Sequence, residues 1–270
     1  MNFPKKQLRF FIIICFISLN LGAQVPTSTF RTHLNYEVAR GVSVSQNFVY
    51  VITENGFYRK SKSENVTELL DKRNGLSEMN VTTSAYQVTV NQLIFVYESG
   101  TIDVITLEAN DKFEDVSTID FIKNATGISQ SKKINKIETF NDQAYVATAF
   151  GLVEINLANR RVQETYRNIG PNGTPVSVND IAIQNDSLFL STSAGILAGS
   201  LSPSVNLLFF GNWKLVTNST LFQLPKLPTD IPFITKINDV KNEGNIFWIA
   251  DENNGLITNV SGVWQSIIPD

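Results

Sequence analysis

Cysteine is nearly missing from this 270-residue chain: Cys15 is the only one, and it stands inside an apolar run near the start. No disulfide can form within the chain, and a thiolate zinc site, which needs several cysteines, is ruled out. Histidine is as scarce, with His33 alone, so His and Cys together supply neither a zinc cluster nor a conventional nucleophile and base pair. His33 reads as a packing or hydrogen-bonding residue ahead of the first repeat. Positive charge is also short, 22 Lys and Arg against 25 Asp and Glu. That balance argues against nucleic acid, whose binding rests on phosphate neutralisation by a concentrated basic face. No phosphate-binding glycine loop occurs, and no cofactor is implied. "DENN" from Asp251 offers oxygens but lacks the ordered spacing of a calcium loop.

Long hydrophobic runs are limited to one. Lys5, Lys6 and Arg9 precede the apolar block Phe10 to Leu21, and Gly22 and Ala23 follow before Gln24. This order of charged, apolar and small residues is that of a secretory signal peptide, residues 1–23, and the block is shorter than the roughly 20 residues that span a bilayer. Cys15 sits within the block and not at its end, so it does not mark a lipid anchor. Cleavage after Ala23 removes three basic and no acidic residues, leaving 19 positive charges against 25 and a net charge of about −6. The chain is expected to be exported, with no transmembrane anchor.

What is present in quantity is a repeat. "YVITENG" from Tyr50, "IFVYESG" from Ile94, "YVATAFG" from Tyr145, "FLSTSAG" from Phe189 and "FWIADENNG" from Phe247 each end an apolar run at a glycine. Those glycines are Gly56, Gly100, Gly151, Gly195 and Gly255, spaced 44, 51, 44 and 60 residues apart. Three copies carry a second mark upstream, "INKI" at Ile134, "VNDI" at Val178 and "INDV" at Ile237, followed by polar turns such as Asn141-Asp142 and Asn185-Asp186. Alternating strands follow each glycine, as in "LVEINL" and then "RVQETY" from Arg161. Four short strands per 44 to 60 residues is the unit of an all-β propeller, about five blades here. The second strand reads as continuously apolar because it is covered on both faces by neighbouring blades. The glycine marks a turn where positive φ or close backbone approach penalises a Cβ. A β-sandwich of irregular hairpins is the rival architecture.

The segment "FRTHLNYEVARGVSVSQNFVYVITENGFY", then "DKRNGLSEMNVTTSAY", "SGTIDVI", "YVATAFGLVEINL" and "ETYRNIGPNG", resembles the N-terminal β-propeller of the PorZ family, from about Phe30 to the end. "NGLS" at Asn74 and "ATAFG" at Ala147 are shared with the propeller repeats of two-component sensors; the order of the elements is the more specific feature. The resemblance implies a non-enzymatic component of the type IX secretion system of Bacteroidota, placed in the periplasm or at the outer-membrane-associated surface of a Gram-negative bacterium. Its partners would be sortase-complex proteins, and its role would be to help deliver anionic lipopolysaccharide for anchoring cargo. It also implies a seven-bladed ring followed by a second propeller and a sorting domain. On that basis residues 37–270, after a lead-in at 24–36, are an incomplete ring of about five blades, with lipopolysaccharide contacted through domains outside this chain. The outer faces of the first and fifth sheets, carrying Val51, Ile249 and Leu256, are then expected to lack partners. A periplasmic glycan-binding sensor propeller is the alternative function, and an enzyme comes third.

No catalytic, cofactor or metal residue is assigned. Glu54, Glu98 and Asp251 follow the second strand in three blades and are expected to be solvated turn residues, and Glu154 an exposed one. "LLFFGNWKLV" from Leu207 and the proline-rich "FQLPKLPTDIPF" from Phe222 lie in the longest repeat interval, where Phe209, Phe210 and Trp213 are candidates for docking a partner. Lys132, Lys133, Arg160 and Arg161 are candidate contacts for an anionic glycan. "DSL" at Asp186 fits a short O-glycosylation acceptor pattern, with a plain turn the stronger reading.

Overall fold

Apolar β-branched runs of six residues, punctuated by Gly, Asn and Asp, fold here as antiparallel hairpins. The computed structural model describes residues 36–216, 231 and 236–269. The signal segment with Cys15, His33 and all of 222–233 except Ile231 fall outside the described residues. Among the described residues of the unit Asn35–Asp270, twenty strands form five four-stranded sheets, each in sequence order. Blade 1 holds β1 (Ala39–Val44), β2 (Phe48–Thr53), β3 (Phe57–Ser61) and β4 (Thr67–Leu70). Blade 2 holds β5 (Val81–Gln87), β6 (Gln92–Tyr97), β7 (Ile102–Leu107) and β8 (Phe113–Ile119). Blade 3 holds β9 (Ile134–Phe140), β10 (Gln143–Thr148), β11 (Gly151–Asn156) and β12 (Arg161–Tyr166). Blade 4 holds β13 (Val178–Gln184), β14 (Ser187–Thr192), β15 (Gly195–Ser200) and β16 (Trp213–Leu215). Blade 5 holds β17 (Ile237–Glu243), β18 (Ile246–Asp251), β19 (Gly255–Thr258) and β20 (Gln265–Ile267). The five are arranged as a propeller ring.

Side-chain alternation sends each second strand into two interfaces at once. In β10, Tyr145 and Ala147 join the core shared with blade 4, while Ala144 and Val146 join the core shared with blade 2. Tyr50 and Ile52 of blade 1 meet Leu93 and Phe95 of blade 2 in the same manner. All six residues of β6 are buried, whereas three of the four in β4 are not.

The first and fifth sheets face one another, which corrects the expectation that their outer faces lack partners. Trp248, Ala250 and Leu256 of blade 5 form one apolar cluster with Val49, Val51 and Tyr58 of blade 1. Val51, Ile249 and Leu256 are fully buried. Among the described residues, no apolar cluster joins blade 4 to blade 5.

Each innermost strand carries a one-residue register shift near its start, at Arg40, Thr82, Asn135, Asn179 and Asn238. The asparagine of the "INKI", "VNDI" and "INDV" marks is thus a bulge residue, left unpaired in its own ladder. Two of these asparagines reach the following blade: Asn135 Nδ2 donates to the Val178 carbonyl at 2.8 Å, and Asn238 Nδ2 to the Ala39 carbonyl at 2.6 Å. Val178 and Ala39 hold the same station, one residue before a bulge. Blade 5 therefore addresses blade 1 as blade 3 addresses blade 4.

Candidate functional site

The innermost strands of a propeller line its central channel, and here two positions on one side of each such strand follow the bulge, one and three residues after it. In blades 3, 4 and 5 the first of them is charged: Lys136, Asp180 and Asp239. The second is Glu138 in blade 3 and Lys241 in blade 5. Lys136 Nζ lies 3.3 Å from Asp239 Oδ1 and 3.7 Å from Glu138 Oε1, and Lys241 Nζ lies 3.1 Å from Glu138 Oε1. Strands β9 and β17 are thereby bridged across the channel without blade 4. Asp239 also accepts the Val42 N–H at 3.1 Å, which ties blade 1 to the same network. Burial pulls the Lys136 ammonium toward its neutral form, but Asp239, Glu138 and Asp180 outweigh it and hold the group above the ordinary lysine range. On the far side, the Ser43 and Ser84 hydroxyls hydrogen-bond between blades 1 and 2. A cleft of about 190 Å³ beside this network is lined by Ser43, Tyr86, Glu138, Thr139, Lys241 and Glu243 among others. The alternating charges neutralise one another in place, so the network can hold three blades in register and present polar groups to a solute in the channel.

These residues escaped the sequence reading, although their signal was in the second repeat mark: the residue after its asparagine is charged in all three copies. Gly56 and Gly100 lie between the second and third strands of their blades, and Gly151, Gly195 and Gly255 are the first residues of β11, β15 and β19. Positive φ is found at Gly100, Gly151, Gly195 and Gly255. A Cβ on Gly151 would lie 2.2 Å from the Tyr166 carbonyl oxygen, and one on Gly255 2.9 Å from that of Ile267. The threonine three residues before the glycine has its own task. Thr53, Thr148 and Thr192 each donate Oγ1 to the carbonyl of Gly56, Gly151 and Gly195, at 2.8, 2.8 and 2.6 Å. Asn185 and Asp186 both have positive φ, the requirement of a type I′ hairpin turn.

Asp251 is not a solvated turn residue. It is fully buried, and its carboxylate accepts from the backbone N–H groups of Lys236, Asn253 and Asn254 and from Asn254 Nδ2. Glu54 and Glu98 are exposed, Glu54 within 3.6 Å of Arg40. No three His, Cys, Asp or Glu side chains gather as a metal site among the described residues. Glu154 is likewise buried, at 8% exposure, because its cross-strand partners Tyr145 and Glu164 put it on the face of blade 3 that looks at blade 4.

Trp213 is core, not docking surface: it is buried and donates Nε1 to the Leu207 carbonyl at 2.8 Å. Phe209 and Phe210 are exposed, with ring centroids 5.1 Å apart, and Leu208 and Leu215 are exposed as well. The four basic residues do not converge. Lys132 and Lys133 precede β9 at the end of blade 3 that holds Gly151, while Arg160 and Arg161 sit at the other end, where Asn156 pairs with Arg161. A strand of six residues separates them by about 20 Å. Arg160 is also committed within the fold, donating to Asp115, Ser117 and Thr106 of blade 2, and Lys132 donates to the Lys123 carbonyl. Arg161 and Lys133 remain exposed. No helix among the described residues is long and apolar enough to cross a membrane.

Known proteins can be set beside this geometry. A solved structure of PorZ, described as an essential bacterial surface component of the type IX secretion system of the oral bacterium Porphyromonas gingivalis, is similar with a TM-score of 0.56 and 18% identity. The similarity covers 88% of this chain and 29% of that one, so this chain spans under a third of the length of that protein. At such identity the likeness concerns the fold. The extracellular domain of a hybrid two-component system from B. thetaiotaomicron is similar at 14% identity and TM-score 0.49, covering 87% of this chain and 28% of that one. No curated protein matches the chain. Residues 49–214, from β2 to β16, match the family described as the N-terminal β-propeller domain of PorZ of the type IX secretion system. Since that match takes in more than half of the chain, from the second strand of blade 1 to the last strand of blade 4, the chain belongs to the PorZ N-terminal β-propeller family.

Proposed function

We propose that this chain is the non-enzymatic propeller module of a PorZ-type component of type IX secretion, exported by residues 1–23 and acting at the cell surface through contacts with other proteins of the secretion and sortase machinery. The observation that carries the reading is the family match over residues 49–214. The channel supports it from the chemical side: the Lys136–Asp239 and Lys241–Glu138 pairs are spent on holding blades together. Delivery of anionic lipopolysaccharide belongs, in this reading, to the whole protein, with sites beyond these blades. Exposed Phe209 and Phe210 are the apolar candidates for a protein contact on the described surface.

In-cell cross-linking tests it, with the tagged full chain expressed in a type IX-secreting bacterium. The expected result is a mature chain beginning at Gln24, cross-linked to secretion or sortase components, and losing those adducts in cells without the system. A chain that keeps Met1, or the same adducts in both strains, would overturn the reading.

A further inference from the structure

Three successive cross-strand positions on the blade 4 side of blade 3 are Tyr145, Glu154 and Glu164. Tyr145 pairs with Glu154 and Glu154 with Glu164, so all three side chains leave the sheet on one side. The loop that follows β15, including Leu201 and Pro203, stands opposite and encloses a cleft of about 290 Å³.

The polar groups of this cleft are incomplete. Glu154 accepts a hydrogen bond from the Tyr166 hydroxyl on Oε2, and its Oε1 has no partner among the described residues. Glu164 accepts only the Thr165 N–H among the described residues. Neither carboxylate makes an ion pair there, and no Lys, Arg or His lines the cleft. Tyr145 is 5% exposed, lines the cleft, and has no hydrogen-bond partner for its hydroxyl among the described residues. Burial raises the Glu154 pKa, Tyr166 acts against that rise, and Glu164 and Asp142 add to it. A buried carboxylate with a second one beside it and no cation is the arrangement that gains most from an incoming positive charge.

We propose that this cleft binds an organic ammonium group. Its N–H donors match the open Glu154 oxygen, the Glu164 carboxylate and the Tyr145 oxygen, while Leu201 and Pro203 cover a methylene stem. An anionic ligand would meet two carboxylates and no counter-charge. A bare metal ion would want a third acidic or histidine ligand, and the described residues hold no such group. The ammonium could be carried by a lysine side chain of a protein or by a free amine. The proposal does not depend on the type IX secretion reading.

Calorimetric titration of the full chain decides it, using Nα-acetyl-L-lysine N-methylamide and 1,5-diaminopentane, with 1-pentanol and D-glucose as uncharged controls. At least one amine should bind about ten-fold or more tighter than both controls, as expected for a desolvated charge pair. Tighter binding of the lysine derivative assigns the site to a protein side chain, and tighter binding of the diamine to a free amine. Glu154→Gln keeps an acceptor for Tyr166 and should weaken amine binding about ten-fold, with Glu164→Gln as a second, independent loss. Equal binding of a control, no saturable binding of either amine, or unchanged affinity in both variants would overturn the assignment.

Discussion

Gly151 meets two demands at once. Its φ of 130° lies where L side chains are rare, and a Cβ there would sit 2.2 Å from the Tyr166 carbonyl oxygen. Gly127 has φ 72° but nothing within 4 Å of the same atom. Gly151→Ala should therefore lose more than the roughly 1–2 kcal/mol of the conformational term, and Gly127→Ala no more than that term. Equal urea midpoints for the two variants would remove the close approach as a cause. Glu154 supplies the second prediction at this scale. Burial raises its pKa, so the folded chain holds this proton more tightly than the unfolded chain does. Stability is then lost as pH rises from the ordinary glutamate range, near about 4.3, through the raised folded value. Glu154→Gln escapes that loss, and its stability relative to the parent should improve across this window. Parallel pH curves for parent and variant would refute the linkage.

Among elements, the innermost strands do more than line the channel. Their shared bulge turns one polar residue per blade out of the ladder, and in blades 3 and 5 the freed asparagine fastens the next blade's backbone. Blade 4 has the same asparagine, Asn179, exposed and without a side-chain partner among the described residues. Asn135→Ala should cost about 1 kcal/mol, the net worth of one hydrogen bond, and Asn238→Ala, which also loses a bond to Glu252 Oε2, at least as much. Asn179→Ala should fall within about 0.5 kcal/mol of the parent. Chemical denaturation of the three variants separates a repeated sequence mark from a repeated structural role; equal losses would mean the mark acts through the bulge alone. The "NGLS" mark is used in another way: Ser77 donates its backbone N–H and its hydroxyl to buried Asp103, which also accepts from Tyr97 and Thr118.

For the molecule, the decisive interface is the one between its first and last described blades. Trp248 is 1% exposed and packs with Val49, Val51 and Tyr58, some two hundred residues earlier in the chain. Replacing it by alanine should cost about 3–5 kcal/mol, as for other large core deletions. Phe209→Ala, at an exposed position, should stay within about 0.5 kcal/mol. Hydrogen exchange gives a second measure: the amides of β1 and β18 should lose protection together in Trp248→Ala. Loss confined to β18 would show that blade 1 stands without blade 5.

By itself, the sequence determined the class of fold, because period-2 alternation, turn residues and the 44 to 60 residue repeat are local properties that any copy of the unit must carry. It determined the turns for the same reason, since Asn185-Asp186 and Gly151 answer constraints set by their own backbone. It placed Glu154 and Asp251 in water wrongly. Each is polar within a strand or turn, but what buries it is the neighbouring sheet in one case and a ring of backbone N–H donors in the other. The channel network was legible only as an unexplained charge after each asparagine. Lys136 and Asp239 lie 103 positions apart, and Trp248 and Val51 further still, so their pairing depends on how many blades close the ring and at what angle. Those are tertiary decisions, made by the sum of apolar contacts between sheets, and no single repeat contains them.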